Sequence, residues 1–156
     1  MKFVSTYSDG KVGVAQELAR YFQSKGEDFV FLEHPLVAAS GSGSRLTEFK
    51  AGIESGRRVF GPAHGGALGH YLRCFLLTFR HVRRVRAGLD LFVGHSNLDC
   101  IAARLAGGRG LRVIYVSIDY TPKRFADPLM NFAFGMADRL AYAWSDRIWH
   151  SYPDAA

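Results

Sequence analysis

Apolar and polar positions along this 156-residue chain repeat with two different periods, and the places where the period changes mark out the elements. Lys2 to Tyr7 is a short strand-like run, and Ser8, Asp9 and Gly10 follow it as loop. Val14, Leu18 and Phe22, joined by Ala15 and Ala19, recur at helical spacing until Gly26 supplies a stop. Asp28 to His34 is a second strand ended by Pro35, so the opening of the chain reads as a βαβ unit. From Leu36 the pattern loosens. The Ser and Gly residues of VAASGSGSRLTEF predict a flexible connection, one that could serve as a mobile substrate loop, and Arg57 to Phe60 is a candidate for a further short strand.

A long helix is expected from Ala67 to Arg86, because Leu68, Tyr71, Leu72, Phe75, Phe79 and Val82 repeat at three- and four-residue steps and should form its core face. Leu89 to Gly94 is the next buried strand. Ser96, with Asp99 three residues on, resembles a capping box for a helix running through Leu105. Val113, Ile114, Tyr115, Val116 and Ile118 make a near-continuous apolar run, the pattern of a strand buried on both faces of a parallel sheet. Asp127 followed by Pro128 predicts an N-cap and a first helical position, with Leu129, Phe132, Met136, Leu140 and Ala143 as the apolar face of that helix. Arg147 to Tyr152 reads as a last strand. Strands and helices alternating over the whole length predict an α/β fold, a doubly wound parallel sheet forming one domain over residues 1–156.

Composition changes this picture little: 48% hydrophobic residues suffice for one real core. Charge adds more, since 20 Lys and Arg against 14 Asp and Glu favour an anionic partner. On the long helix Arg73, Arg80 and Arg84 fall together opposite the expected core face, with Leu77 and His81 nearby. That arc reads either as a solvated face with ordinary charge at a helix C-terminus or as a surface that docks on anionic lipid. The basic helix lacks the aromatic interleaving of a single-strand nucleic-acid platform, so no nucleic-acid partner is expected. Cys74 and Cys100 sit in separate helices without CxxC spacing, which predicts reduced, buried thiols. The start is too polar for a signal peptide and no window is apolar enough to span a bilayer. A cytoplasmic protein follows as the expectation, with peripheral attachment to the inner membrane face left open.

Candidate chemistry gathers at the carboxyl ends of the strands, where open α/β sheets bind ligands. Asp119, Tyr120, Lys123 and Arg124 follow the buried strand directly, although Asp119 reads equally well as a turn former before Pro122. The first βα loop carries Gly10 and Gly13 in a GxxG spacing that lets a phosphate approach a helix N-terminus. It lacks GxGxxG and GxxxxGK[ST], so a dinucleotide site is weakly supported even with Glu33 placed where a ribose-binding acid could be. His95 follows a buried strand and suits an acid, a base, a hydrogen-bond donor or a cap. The six histidines are scattered without metal-ligand spacing, and no GxSxG elbow is present, so neither a metal nor a hydrolase triad is expected.

Taken together, FLEHPL, DLFVGHSN and VIYVSIDYTPKRFADPLMNFAFGMADRLAYAWSDRIWHS resemble the N-terminal domain of a GT-B glycosyltransferase of the large retaining family that includes bacterial mannosyl- and glucosyltransferases. The resemblance covers essentially the whole chain. It implies a Rossmann-like domain that binds a sugar or lipid-linked acceptor, facing a C-terminal domain that holds the nucleotide-sugar donor. That second domain, with its Glu-x7-Glu type motif, has no counterpart in this sequence, so the resemblance implies half an enzyme, inactive alone and needing no cofactor of its own. Carried over by position, Gly10 and Gly13 match the first-loop glycines, and Asp119 matches the acid of a His-Asp pair. Ile118 stands at the histidine position, which leaves His95 as the substitute and Tyr120, Lys123 and Arg124 as acceptor contacts. A small flavodoxin-like or dinucleotide-binding protein is the alternative reading.

Overall fold

The computed structural model describes residues 1–8, 13–36, 43–62, 66–117 and 126–150. Seven strands form one sheet: β1 (Lys2–Ser8), β2 (Phe29–Pro35), β3 (Arg45–Lys50), β4 (Ile53–Val59), β5 (Leu91–Gly94), β6 (Arg112–Ser117) and β7 (Arg147–His150). Four helices accompany them, α1 (Val14–Ser24), α2 (Gly66–Val85), α3 (Asn97–Gly107) and α4 (Pro128–Trp144). The strand order is β4-β3-β2-β1-β5-β6-β7. The pairs from β2 through β1, β5 and β6 to β7 are parallel. β3 runs antiparallel to β2, and β4 antiparallel to β3. The fold is thus a single Rossmann-like α/β domain whose sheet is mixed, which corrects the expectation of a wholly parallel sheet.

The correction comes from the stretch after β2, which reads in the sequence as loop followed by a short strand at Arg57 to Phe60, the latter overlapping the end of β4. Arg45–Lys50 and Ile53–Val59 pair as a hairpin closed at Ala51 and Gly52, whose φ values of 49° and 75° have the sign that a tight two-residue hairpin turn requires. Asp28 secures the turn by accepting a hydrogen bond from the Ala51 amide at 2.8 Å. A β-carbon on Gly52 would lie 2.3 Å from the Gln23 carbonyl oxygen, so only glycine fits between the hairpin and the end of α1.

Alternation along the strands divides the core in two. Phe3, Val30, Leu32, Phe92, Val113 and Tyr115 pack in the cluster shared with α2, α3 and α4, whereas Val4, Phe29, Phe31, Val93 and Val116 pack with Ala15, Ala19 and Phe22 of α1. β6 is buried on both faces, as its apolar run predicts.

Two helices differ from the sequence reading in orientation, and a third in its cap. α2 buries Val82 and packs Phe75 and Phe79 against the core as expected, but it also buries His70, Cys74 and Thr78, while Leu68 and Leu72, expected in the core, are 67% and 56% exposed. α4 likewise turns Ala141 inward with Ala137 and Tyr142 beside it, and leaves Leu129, Phe132 and Met136 exposed. The alanines of α4 share a cluster with Ala103 and Ala106 of α3, so small residues allow the two helices to approach closely. Asp138 fixes the rotation of α4, accepting from Asn97 Nδ2 at 2.8 Å and from the Tyr115 hydroxyl at 3.1 Å. The capping box at α3 is absent: Ser96 occupies the N-cap position without a side-chain bond, and Asp99 points into the core. The Asp127 cap of α4 is as expected, accepting from the Leu129 and Met130 amides with Pro128 in the first turn.

Candidate functional site

β1 leads by way of α1 to β2 on one side, and β5 leads by way of α3 to β6 on the other, so the chain reverses direction across the sheet between β1 and β5. Ligands of open α/β sheets sit at such a switch point, outside the carboxyl ends of the strands. The geometry of β5 and α3 sets what lies there. Gly94 ends β5 with α3 close above it, since a β-carbon would come within 2.7 Å of Cys100 Sγ and 2.8 Å of Phe92 Cε1. His95 follows immediately.

The His95 amide and its Nδ1 both meet the carbonyl oxygen of Ser5, at 3.0 and 3.1 Å. A carbonyl only accepts, so Nδ1 carries the proton and Nε2 is left with a lone pair. Nε2 is buried and has no hydrogen-bond partner among the described residues. Burial lowers the imidazole pKa to about 4, against a smaller opposing effect of the Ser5 carbonyl, so the ring is neutral at physiological pH. The Tyr7 hydroxyl, near the carboxyl end of the neighbouring strand, is also buried and finds no nitrogen or oxygen partner among the described residues, with the Cys74 sulfur as its polar neighbour. Burial pushes its pKa well up, helped by nearby Asp99 and Cys74. The unpartnered His95 Nε2 at this strand end marks a place where a polar ligand would find a partner.

Gly13 opens α1 with its amide donating to Gln16 Oε1 at 3.0 Å. Gln16 Nε2 in turn reaches Ser8 Oγ and Glu33 Oε1, both at 3.4 Å. Glu33 also lies 3.8 Å from Arg45, so the carboxylate offered by the sequence for a ribose is already engaged by protein groups.

Beneath the strand ends lies a buried polar chain that the sequence reading missed. Ser5 Oγ donates to Asp99 Oδ2 at 2.8 Å, and Thr78 Oγ1 donates to Asp99 Oδ1 at 3.1 Å. His34 lies 3.1 Å from Thr78 through Nε2 and 2.8 Å from Ser44 through Nδ1. With the Thr78 proton committed to Asp99, His34 Nε2 must donate to Thr78, and Nδ1 must accept from Ser44. Burial raises the Asp99 carboxyl to about 7, opposed by the bonds from Ser5 and Thr78. Burial lowers His34 to about 3, with His70 and His81 adding to the effect. The only sequence signal for this network is polar residues inside apolar runs, Ser5 and Thr6 in β1 above all.

Both thiols are buried and form no disulfide, and burial pushes Cys74 up to about 11 and raises Cys100 well above the ordinary thiol value, so neither is a ready nucleophile. No group of three or more His, Cys, Asp or Glu side chains among the described residues could hold a metal ion. Arg73, Leu77, Arg80 and Arg84 do share one side of α2, where with Leu72 and Leu76 they line an open groove of about 790 Å³. Gly10, Asp119, Tyr120, Lys123 and Arg124 lie outside the described residues. The structure therefore brings His95 and Gly13 to the carboxyl side of the sheet and places the arginine cluster along one side of α2. Comparison with protein-family models, curated proteins and solved structures finds no match to this chain.

Proposed function

We propose that this chain is the acceptor-side half of a nucleotide-sugar-dependent glycosyltransferase of GT-B type, in which the crevice between β1 and β5 holds a hydroxyl of a sugar or lipid-linked acceptor. The observation that carries this reading is the buried lone pair of His95 Nε2 at the switch point, which has no partner among the described residues. A neutral imidazole whose other nitrogen is committed to Ser5 accepts a hydrogen bond from an alcohol. With its basicity lowered to about 4, the ring does not hold an abstracted proton at neutral pH, so its contribution is to orient the hydroxyl. The likeness of the sequence to the retaining family supplies the remaining roles: Gly10 and Gly13 near the donor phosphates, Asp119 as the acid at its strand end, and Tyr120, Lys123 and Arg124 as acceptor contacts. The nucleotide sugar would be held by a separate donor-binding domain.

The test is ligand-observed NMR of the purified chain with mono- and disaccharides and short-chain lipid-linked sugars, alongside a turnover assay with nucleotide sugars. The chain should bind an acceptor and transfer no sugar. His95→Phe should weaken acceptor binding about five- to tenfold, the worth of one net hydrogen bond, and His95→Gln should retain part of it. Equal binding by His95→Phe, turnover by homogeneous chain alone, or flavin or nicotinamide absorbance in the purified protein would each overturn the reading.

A further inference from the structure

The outward side of α2 is organised as two stripes. Leu68, Leu72 and Leu76 recur at four-residue steps and are 67%, 56% and 47% exposed. Beside them run Arg73, Arg80 and Arg84, with Arg80 and Arg84 exposed and Arg73 half-buried. The leucines are not misplaced core residues awaiting a better fit, because the inward side is already filled. His70 meets the Pro35 carbonyl at 2.8 Å, Thr78 bonds Asp99, and Val82 is fully buried. Rotating the helix to bury the leucines would strip partners from that polar stripe.

The charge on this face is uncompensated. α2 holds no Asp or Glu, and none of the three arginines forms an ion pair among the described residues. His81, in the same groove, has its pKa lowered by burial first, then by Arg58 and Arg84, against a smaller opposing effect of Glu48. An apolar stripe flanked by unpaired guanidinium groups on a 20-residue helix is the chemistry of an element lying in the plane of an anionic bilayer, leucines in the acyl boundary and arginines at the phosphates. α2 does not span: no helix among the described residues is long and apolar enough to cross a membrane.

We propose that α2 is a membrane-docking helix that seats on an anionic lipid surface, with Leu68, Leu72 and Leu76 as insertion anchors and Arg73, Arg80 and Arg84 as headgroup contacts. The leucine stripe separates this from adsorption by charge alone, and the inference stands independently of the chemistry proposed for the strand-end crevice.

Co-sedimentation with vesicles tests it, using the purified chain with pure phosphatidylcholine and with phosphatidylcholine containing phosphatidylglycerol. Binding should need the anionic lipid and weaken as salt rises. Changing Arg73, Arg80 and Arg84 together to Gln should reduce partitioning roughly a hundredfold, about fivefold for each charge. Leu72→Ser with Leu76→Ser should reduce it at least tenfold at low salt, where charge alone would still adsorb the protein. Both sets of positions face away from the core, so melting temperatures should stay at the wild-type value, and Leu76→Trp should show blue-shifted emission on binding. Wild-type partitioning of the leucine variant would overturn the insertion role. Equal binding to neutral vesicles would overturn the anionic one. Sedimentation velocity gives a further outcome: a dimer that the leucine substitutions dissociate would assign this face to a second copy and overturn the proposal.

Discussion

Asp99→Asn is expected to stabilise the fold by about 2 to 4 kcal/mol at alkaline pH and to steepen its loss of stability in acid. Asp99 is fully buried, and its carboxyl is raised from 3.8 to about 7. A raised acid contributes stability that is complete below its unfolded pKa and is lost as pH climbs through the folded one, by about 1.4 kcal/mol for each pH unit of the gap. The ionised form therefore costs on the order of 4 kcal/mol at about pH 8. Asn removes that cost while its Oδ1 still accepts from Thr78 and its Nδ2 donates to Ser5 Oγ, which limits the hydrogen-bond loss. His34 acts with the opposite sign. Its pKa is depressed from 6.5 to about 3, so its contribution is complete above 6.5 and falls away as pH drops. His95, depressed to about 4, behaves alike.

Between about pH 4 and 6.5 the wild-type carboxyl therefore offsets one of the two histidines, because the folded chain holds on Asp99 a proton that the unfolded chain would hold on a histidine. The Asn variant loses this offset, and its acid limb should be steeper by about 1.4 kcal/mol per pH unit. Urea unfolding at about pH 5, 6.5 and 8 measures both effects. Parallel curves for the two proteins would mean that Asp99 has the proton affinity of an ordinary carboxylate.

Arg104→Ala should cost about 3 kcal/mol, which for a chain of this size lowers the melting temperature by roughly 10 °C. Its side chain is 14% exposed, and the guanidinium holds together the ends of three elements. Nε donates to the Trp144 carbonyl at 2.8 Å, Nη1 to the carbonyls of Gly108 and Leu111 at 3.3 and 2.7 Å, and Nη2 to Asp146 Oδ2 at 2.7 Å. The same Asp146 oxygen accepts the Val113 amide at 2.7 Å, so α3, the end of α4 and the start of β6 are locked through one fork. Burial works against the Asp146 charge, but the Val113 amide and Arg104 outweigh it and hold the carboxyl below its usual value. Removing the fork orphans three carbonyls that water reaches only in part. Arg104→Lys should recover less than half of the loss, because an ammonium cannot reproduce the planar spread of donors. Thermal melts of the three proteins decide it, and a change below about 1 kcal/mol in the alanine variant would show that the fork is replaced by solvent.

Sequence pattern alone determined most of the elements of this protein and their order. Period-two and period-3.6 runs are local properties, so β1, α1, β2, the long basic helix, β5, β6, the Asp127–Pro128 helix start and β7 were all legible. The position of His95 at a strand end was legible for the same reason. Of the β3–β4 hairpin only the end of β4 was legible, as the short strand expected at Arg57 to Phe60; β3 and the pairing were not, since the turn is Ala-Gly rather than the familiar Asn-Gly and the outer strand is almost wholly exposed, leaving no apolar alternation to read. Which side of α2 and α4 faces inward was decided only in three dimensions. Hydrophobic periodicity finds an apolar stripe, but a core position also goes to whatever polar group has a distant partner waiting. Ser5 and Asp99 are 94 residues apart, and His34 and Thr78 are 44 apart. Those pairings place His70, Cys74 and Thr78 inside α2 and push its leucines out. On α4, Asp138 reaches 41 residues back to Asn97 and leaves a larger apolar stripe facing solvent. The unpartnered state of His95 Nε2 belongs to the same class of fact. It depends on the Ser5 carbonyl, 90 residues earlier, holding the other nitrogen, and a hydrogen bond across that separation exists only once parallel strands β1 and β5 have come together.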